Sequence, residues 1–85
     1  MGEINRDKII ALLKSENPRG RPDDIAIYTD AFLAYREASA NITKHGSIVI
    51  HPRTGAPIEN PYLKVQLQAT NAIRNIKLKT GDLWD

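Results

Sequence analysis

Cysteine is absent from this 85-residue chain, so neither a disulfide framework nor a thiolate metal site can supplement its core. Aromatic residues are few: one Trp, one Phe and three Tyr. No apolar run approaches the length of a membrane span, and the first residues lack the basic-then-apolar pattern of a signal peptide. The expectation is a protein that stays in the aqueous compartment where it is made. Charge of one sign is not in excess either. Twelve Lys and Arg stand against ten Asp and Glu, a net charge of +2 with a pI near 9.1. So mild a bias permits contact with nucleic acid without demanding it. No Gly-rich loop ending in Lys-Ser/Thr follows a strand pattern, which removes the phosphate-cradling route to nucleotide binding.

What is present reads as one small domain over residues 1–85, near the lower size limit of chains that fold alone. A core of this size usually supplies about 3–5 kcal/mol. Self-association is the remaining common way for such a chain to bury more apolar surface. The charges are unevenly placed. Arg6, Lys8, Lys14, Arg19 and Arg21 fall in the first quarter, opposed there by Glu3, Asp7 and Glu16, while Lys64, Arg74, Lys77 and Lys79 gather toward the end.

The pattern along the chain predicts three helices and one extended excursion. The first helix covers Asn5 to Ser15, with Asn5 as its cap and Asp7 near its positive end. Ile9, Ile10, Leu12 and Leu13 form its apolar face, and Asn17-Pro18 stops it. Residues 1–21 thus comprise this helix and a basic linker. The second helix, residues 22–45, opens on Pro22 with Asp23 and Asp24 complementing the dipole, and Gly46 caps its end. Ile25, Tyr28, Phe32, Tyr35, Ser39 and Ile42 alternate steps of three and four, the spacing of one buried seam. Beside it Ile27, Ala31, Ala34 and Ala38 form a seam of mostly small side chains that lets another helix approach closely. At about 23 residues and roughly 35 Å, this helix is hard to cover within so small a chain.

Residues 46–60 carry Ile48, Val49 and Ile50, a Thr54-Gly55 turn signal, and Pro57, which forbids a central strand. The expectation is a short β-hairpin or extended arm rather than a sheet, and a hairpin would lie against helices or a neighbouring subunit, because an isolated one is marginal. Asn60-Pro61 then opens a third helix over residues 61–80, with Tyr62, Val65, Ala69, Ala72 and Ile76 on one face and Gly81 as its stop. The short connection makes helices two and three antiparallel. The tail, residues 81–85, holds Leu83 and Trp84, which either clasp the domain or anchor a partner.

The candidate chemistry is sparse. Ser47, His45 and Asp30 offer the residue types of a hydrolase triad but no nucleophile-elbow pattern. His45 and His51 lack the further ligands that a zinc site needs. The stripe Tyr28, Phe32, Tyr35 has helical spacing with Ile25 and Ile42, which favours core or subunit interface over base stacking. Pro18-Arg19-Gly20-Arg21-Pro22 has the composition of a minor-groove hook, of a linker touching phosphates, or of a plain helix connection. The acidic Glu16, Asp23 and Asp24 around it disfavour the hook.

Two stretches carry a resemblance. Leu12-Leu13-Lys14-Ser15-Glu16-Asn17-Pro18-Arg19-Gly20-Arg21-Pro22 resembles the opening of the P27 family of phage terminase small subunits, with Glu16 where that family usually has Gly. His45-Gly46-Ser47 with Ile48-Val49-Ile50, then Pro52-Arg53-Thr54-Gly55 and Asn60-Pro61 before a helix, is similar to the family's centre. Together the likeness spans Leu12 to Gly81. Family members usually continue well past the third helix, so docking functions of such a tail are not carried over. The resemblance implies a mainly α fold: a short N-terminal helix, then two long antiparallel helices connected by a short β-hairpin, in an oligomeric assembly. It implies a non-catalytic ring without cofactors or small-molecule substrate, in the bacterial host cytoplasm, that recognises double-stranded viral DNA and presents it to the large terminase subunit. On that reading Arg6, Lys8, Lys14, Arg19, Arg21 and Arg53 meet DNA, mainly at phosphates. Ile27, Ala31, Ala34, Ala38, Tyr62, Val65 and Ala69 are placed at the contacts between subunits, the Ala seam and the stripes of the third helix serving both core and inter-subunit contacts. The alternative is a small helical protein–protein adaptor or regulator that does not bind DNA.

Overall fold

A computed structural model of the chain describes residues 5–84; Glu3 lies outside them. The element order is α1 (Arg6–Glu16), α2 (Pro22–His45), β1 (Ile48–Ile50), β2 (Pro57–Glu59) and α3 (Tyr62–Asn75). The fold is mainly helical, with one two-stranded antiparallel sheet.

Local chemistry explains most of these boundaries. Asn5 is extended and its side-chain oxygen accepts the Lys8 amide at 2.9 Å, satisfying one of the unpaired donors of the first turn of α1. Pro22 starts α2 with Asp23 and Asp24 in its first turn. Gly46 ends it at φ +85°, ψ 174°, a conformation that only glycine adopts freely, while its N–H donates to the Ile42 carbonyl at 2.7 Å. At the start of α3, Pro61 already has helical angles, so Asn60 serves as the cap: its Oδ1 accepts the Tyr62 amide at 2.9 Å.

Pairings between α2 and α3 run in opposite directions along the two helices. The Asn41 side chain meets Asn60, Ser39 meets Gln66, and Tyr28 lies beside Ile73 and Ile76. The helices are therefore antiparallel. Ala38 and Ala69 are buried, small side chains where close approach of helix backbones requires them.

The core sits at one end of this helix pair. Ile9 and Leu13 of α1, Ile25, Tyr28 and Phe32 of α2, and Leu83 of the tail are buried together, with Ile10, Leu12, Leu33, Ile73, Ile76 and Leu78 packed around them. Removing a side chain such as Phe32 or Leu13 from water contributes about 1.5–3 kcal/mol. Thr29 is fully buried on the same helix and satisfies its hydroxyl by donating to the Ile25 carbonyl at 2.7 Å.

One expectation fails. The third helix ends at Asn75 rather than near residue 80, and Ile76 is extended at φ −107°, ψ 117°. The cause is a long-range contact. The Asn17 side chain imitates a strand partner: its Nδ2 donates to the Lys79 carbonyl at 2.7 Å, and its Oδ1 accepts the Lys79 amide at 2.8 Å. An extended segment places Ile76 and Leu78 on one side, toward the core, which a continuing helix would not. Gly81 at φ +53° does not cap a helix; it turns this segment beside Glu16. The turn brings Leu83 into the core and sets the Trp84 ring edge-on to Phe32 and Tyr35, at 4.6 and 5.6 Å between centroids. Trp84 Nε1 donates to the Tyr28 hydroxyl at 2.9 Å. Of the two roles open to the tail, the structure displays the clasp.

Candidate nucleic-acid and assembly surfaces

The six basic residues assigned to DNA fall into three places. Arg6 is exposed at the start of α1, and its Nε donates to Asp30 of α2 at 3.0 Å. That hydrogen bond first, and the Asp30 charge second, raise the Arg6 pKa further above its ordinary value. An arginine is charged at any relevant pH, so the consequence is local neutralisation: the cation is shared with a carboxylate before any phosphate arrives. Lys8 and Lys14 are exposed on the same helix.

The linker forms the second place. Pro18 and Arg19 make a turn closed by the Gly20 N–H donating to the Asn17 carbonyl at 2.8 Å. A methyl group at Gly20 would meet Asn17 at 3.1 Å, so the turn is packed closely on the end of α1. This hydrogen-bonded turn is not the extended segment a minor-groove hook requires. Arg21 is exposed in the extended cap position of α2.

The pairing of Asn17 with Lys79 has an electrostatic result. Arg19, Lys77 and Lys79 line one open surface groove with Glu16 and Gly20, so three basic residues from distant parts of the sequence share it with one acidic residue. Lys77 and Lys79 escape a reading of the sequence because helical spacing, expected through residue 80, gives no reason to bring them to the linker. The Asn-Pro pair at 17–18 is the available signal: an Asn at a helix end can bond its own last turn, here the Leu13 carbonyl at 2.9 Å, and a distant backbone as well.

Arg53 occupies the third place, the tip of the hairpin. It lies beyond the far end of α2, a helix of 24 residues or about 36 Å from the linker. The turn that carries it is built by His51, whose Nδ1 accepts the Arg53 amide at 3.1 Å and the Thr54 amide at 3.4 Å. His51 is thus a turn residue, with one ring nitrogen engaged. The six basic residues named from the sequence therefore do not form one continuous patch.

The residues expected between subunits divide differently. Ala31, Ala38 and Ala69 are 8%, 0% and 5% exposed, taken up by packing within the chain, so they present no surface to a neighbour. Ala34, Tyr62 and Val65 are half-buried, and Ile27 is exposed. Small residues mark close helix contact, and within the chain α2 packs against both α1 and α3.

Asp30 and His45 share α2 and stand fifteen positions apart, about 22 Å along the axis, far beyond the reach of a catalytic triad with Ser47. Among the described residues no group of three or more His, Asp or Glu side chains is arranged to hold a metal ion, and no helix is long and apolar enough to cross a membrane. What the described residues present is a small helical scaffold with surface grooves and exposed cations.

Its family follows from comparison with known proteins. A family model described as the small subunit of phage terminase matches residues 5–81, which is nearly the whole chain. The chain belongs to the phage terminase small subunit family. No curated protein and no solved structure matches it.

Proposed function

We propose that this terminase small subunit is the non-catalytic DNA-recognition component of a phage genome-packaging machine, assembling as a homo-oligomeric ring in the host cytoplasm and presenting double-stranded DNA to the large terminase subunit. The observation that carries the DNA part is the groove where Arg19 joins Lys77 and Lys79, in a chain of this family. Clustered cations on a backbone turn suit phosphate contact, which holds DNA without reading its sequence. Lys14 and Arg21 flank the same linker in sequence, and Lys8 is exposed one helix away. Arg6 contributes less in this reading because Asp30 already engages it.

Assembly is supported by the shape of the chain. Its radius of gyration is 15.4 Å, against about 12 Å for a compact domain of this length. Half-buried Ala34, Tyr62 and Val65 and exposed Ile27 are available for neighbours.

Filter binding at graded salt, paired with light scattering on a sizing column, tests both parts. Arg19→Glu with Arg21→Glu should weaken binding to all duplexes alike and reduce the salt slope by about one for each phosphate no longer neutralised. Lys77→Glu with Lys79→Glu should do the same. Absence of any duplex binding in low salt would leave the protein adaptor as the surviving reading.

A further inference from the structure

Resting on the assembly part of that reading, we propose that the outward face of the β-hairpin, formed by Ile48, Ile50 and Pro57, is a surface through which one copy of this chain docks on the next.

The register determines which residues share a face. Ile48 pairs with Glu59, Val49 with Ile58, and Ile50 with Pro57, and directly opposed residues in an antiparallel pair lie on the same side. Val49 and Ile58 therefore form one face, and both are half-buried. The other face holds Ile48 at 61% exposure and Ile50 at 63%, beside exposed Pro57 and Glu59. Two large β-branched side chains thus stand side by side in water with a single charge among them. Strand edges left to solvent are ordinarily protected by charge, bulges or cover.

The hairpin is also rigidly presented. Two strands of three residues do not hold themselves in water. Here polar contacts secure both ends. At the base, Asn60 donates its backbone N–H to the Ser47 carbonyl at 2.7 Å and its Nδ2 to the Gly46 carbonyl at 2.9 Å. At the tip, His51 donates its N–H to Ala56 and accepts from Gly55 through its carbonyl, each at 2.9 Å. A preorganised apolar face loses little conformational freedom on binding, which is the condition for a productive docking surface.

The area balance points to a second copy as the occupant. The chain exposes 6444 Å², whereas a compact monomer of its mass exposes about 5,000 Å². The surplus of about 1,400 Å² approaches two contacts of standard size, each taking about 800 Å² from one partner. A chain with a neighbour on either side needs two such contacts. Closed rings use two different surfaces per subunit. Exposed Leu67 on α3, at 61%, and Ile27 on α2, at 51%, supply apolar surface for the receiving side.

The test compares the wild-type chain with Ile48→Asp/Ile50→Asp and with the conservative Ile48→Val/Ile50→Val, by light scattering at two protein concentrations and far-UV circular dichroism. The expected result is a multi-subunit wild type, a Val variant of the same mass, and an Asp variant at the monomer mass of 9.5 kDa with unchanged helix content. An Asp variant that retains the wild-type mass overturns the hairpin surface and leaves the assembly reading standing. A wild type that is monomeric at both concentrations overturns both. Should the Asp variant lose helix content, a second measurement decides. Because the chain has no cysteine, Ile50→Cys introduces a single thiol. Its alkylation should slow at least tenfold between dilute monomer and assembled protein, and equal rates would overturn the proposal.

Discussion

Replacing Asn60 with Ala should destabilise the fold more than any other single polar change at the junction of α2, the hairpin and α3. Asn60 is only 2% exposed. Its Nδ2 donates to Asn41 Oδ1 at 3.0 Å and to the Gly46 carbonyl at 2.9 Å, and its Oδ1 accepts the Tyr62 amide at 2.9 Å. One residue thereby ties the end of α2, the base of the hairpin and the start of α3. Each such bond contributes about 1 kcal/mol net, and the partners left behind are partly shielded from water, so the three together are worth about 2–4 kcal/mol. For a chain of this length that corresponds to a fall in Tm of roughly 10–25 °C. The assay is thermal and urea unfolding followed by circular dichroism at one fixed protein concentration, because assembly makes Tm concentration-dependent. A loss below about 1 kcal/mol would refute the reasoning. Asn60→Asp sharpens the test. It keeps the acceptor for Tyr62 but turns a second oxygen toward Asn41 Oδ1 and the Gly46 carbonyl. Burial and those lone pairs disfavour the charged form, so the folded carboxyl titrates above its unfolded value. The variant should be most stable in acid, where the protonated carboxyl donates, and should lose stability as pH rises through the folded pKa. A variant that instead gains stability over that rise contradicts the geometry.

The remaining predictions concern the clasp and the caps. Phe32→Ala, at the fully buried centre of the core, should cost about 3–5 kcal/mol in urea unfolding. Gly46→Ala, at φ +85°, should cost about 1–3 kcal/mol, because no other residue type adopts that conformation without strain. Asn17→Ala removes both bonds to Lys79 and should release the segment that ends in Trp84, shifting the emission of the single tryptophan to the red while the far-UV helix signal persists. Tyr28→Phe removes the Trp84 acceptor alone and should change that emission at a stability cost of about 1 kcal/mol or less.

Much of the architecture was legible because its signals are local. Asn5, the Pro22-Asp23-Asp24 start, Gly46 and Asn60-Pro61 each act on the backbone within a few residues, and all stand at the boundaries expected of them. Of the seam Ile25, Tyr28, Phe32, Tyr35, Ser39 and Ile42, read from period alone, the first three are buried and the last three half-buried. The surfaces were less legible. The Ala seam announces close helix contact without saying whose helix is involved, and within the chain its Ala31 and Ala38 are buried. Likewise the count of basic residues could not reveal that Asp30 engages Arg6 or that Lys77 and Lys79 line the same groove as Arg19.

The amino-acid sequence by itself determined where helices begin and where α2 stops, which faces are apolar, and that a hairpin joins two antiparallel helices. These follow from backbone capping, glycine conformation and side-chain period, all of which act over a few residues. Tertiary structure alone decided that α3 ends at Asn75, that the following segment is extended, and that Trp84 lies against Phe32 and Tyr35. Those outcomes depend on Asn17 meeting Lys79 across 62 positions of sequence. A helical continuation would have kept its own backbone bonds. The extended path replaces two of them with the Asn17 amide and adds the burial of Leu78 and Leu83, a gain that exists only once the chain has folded back on itself.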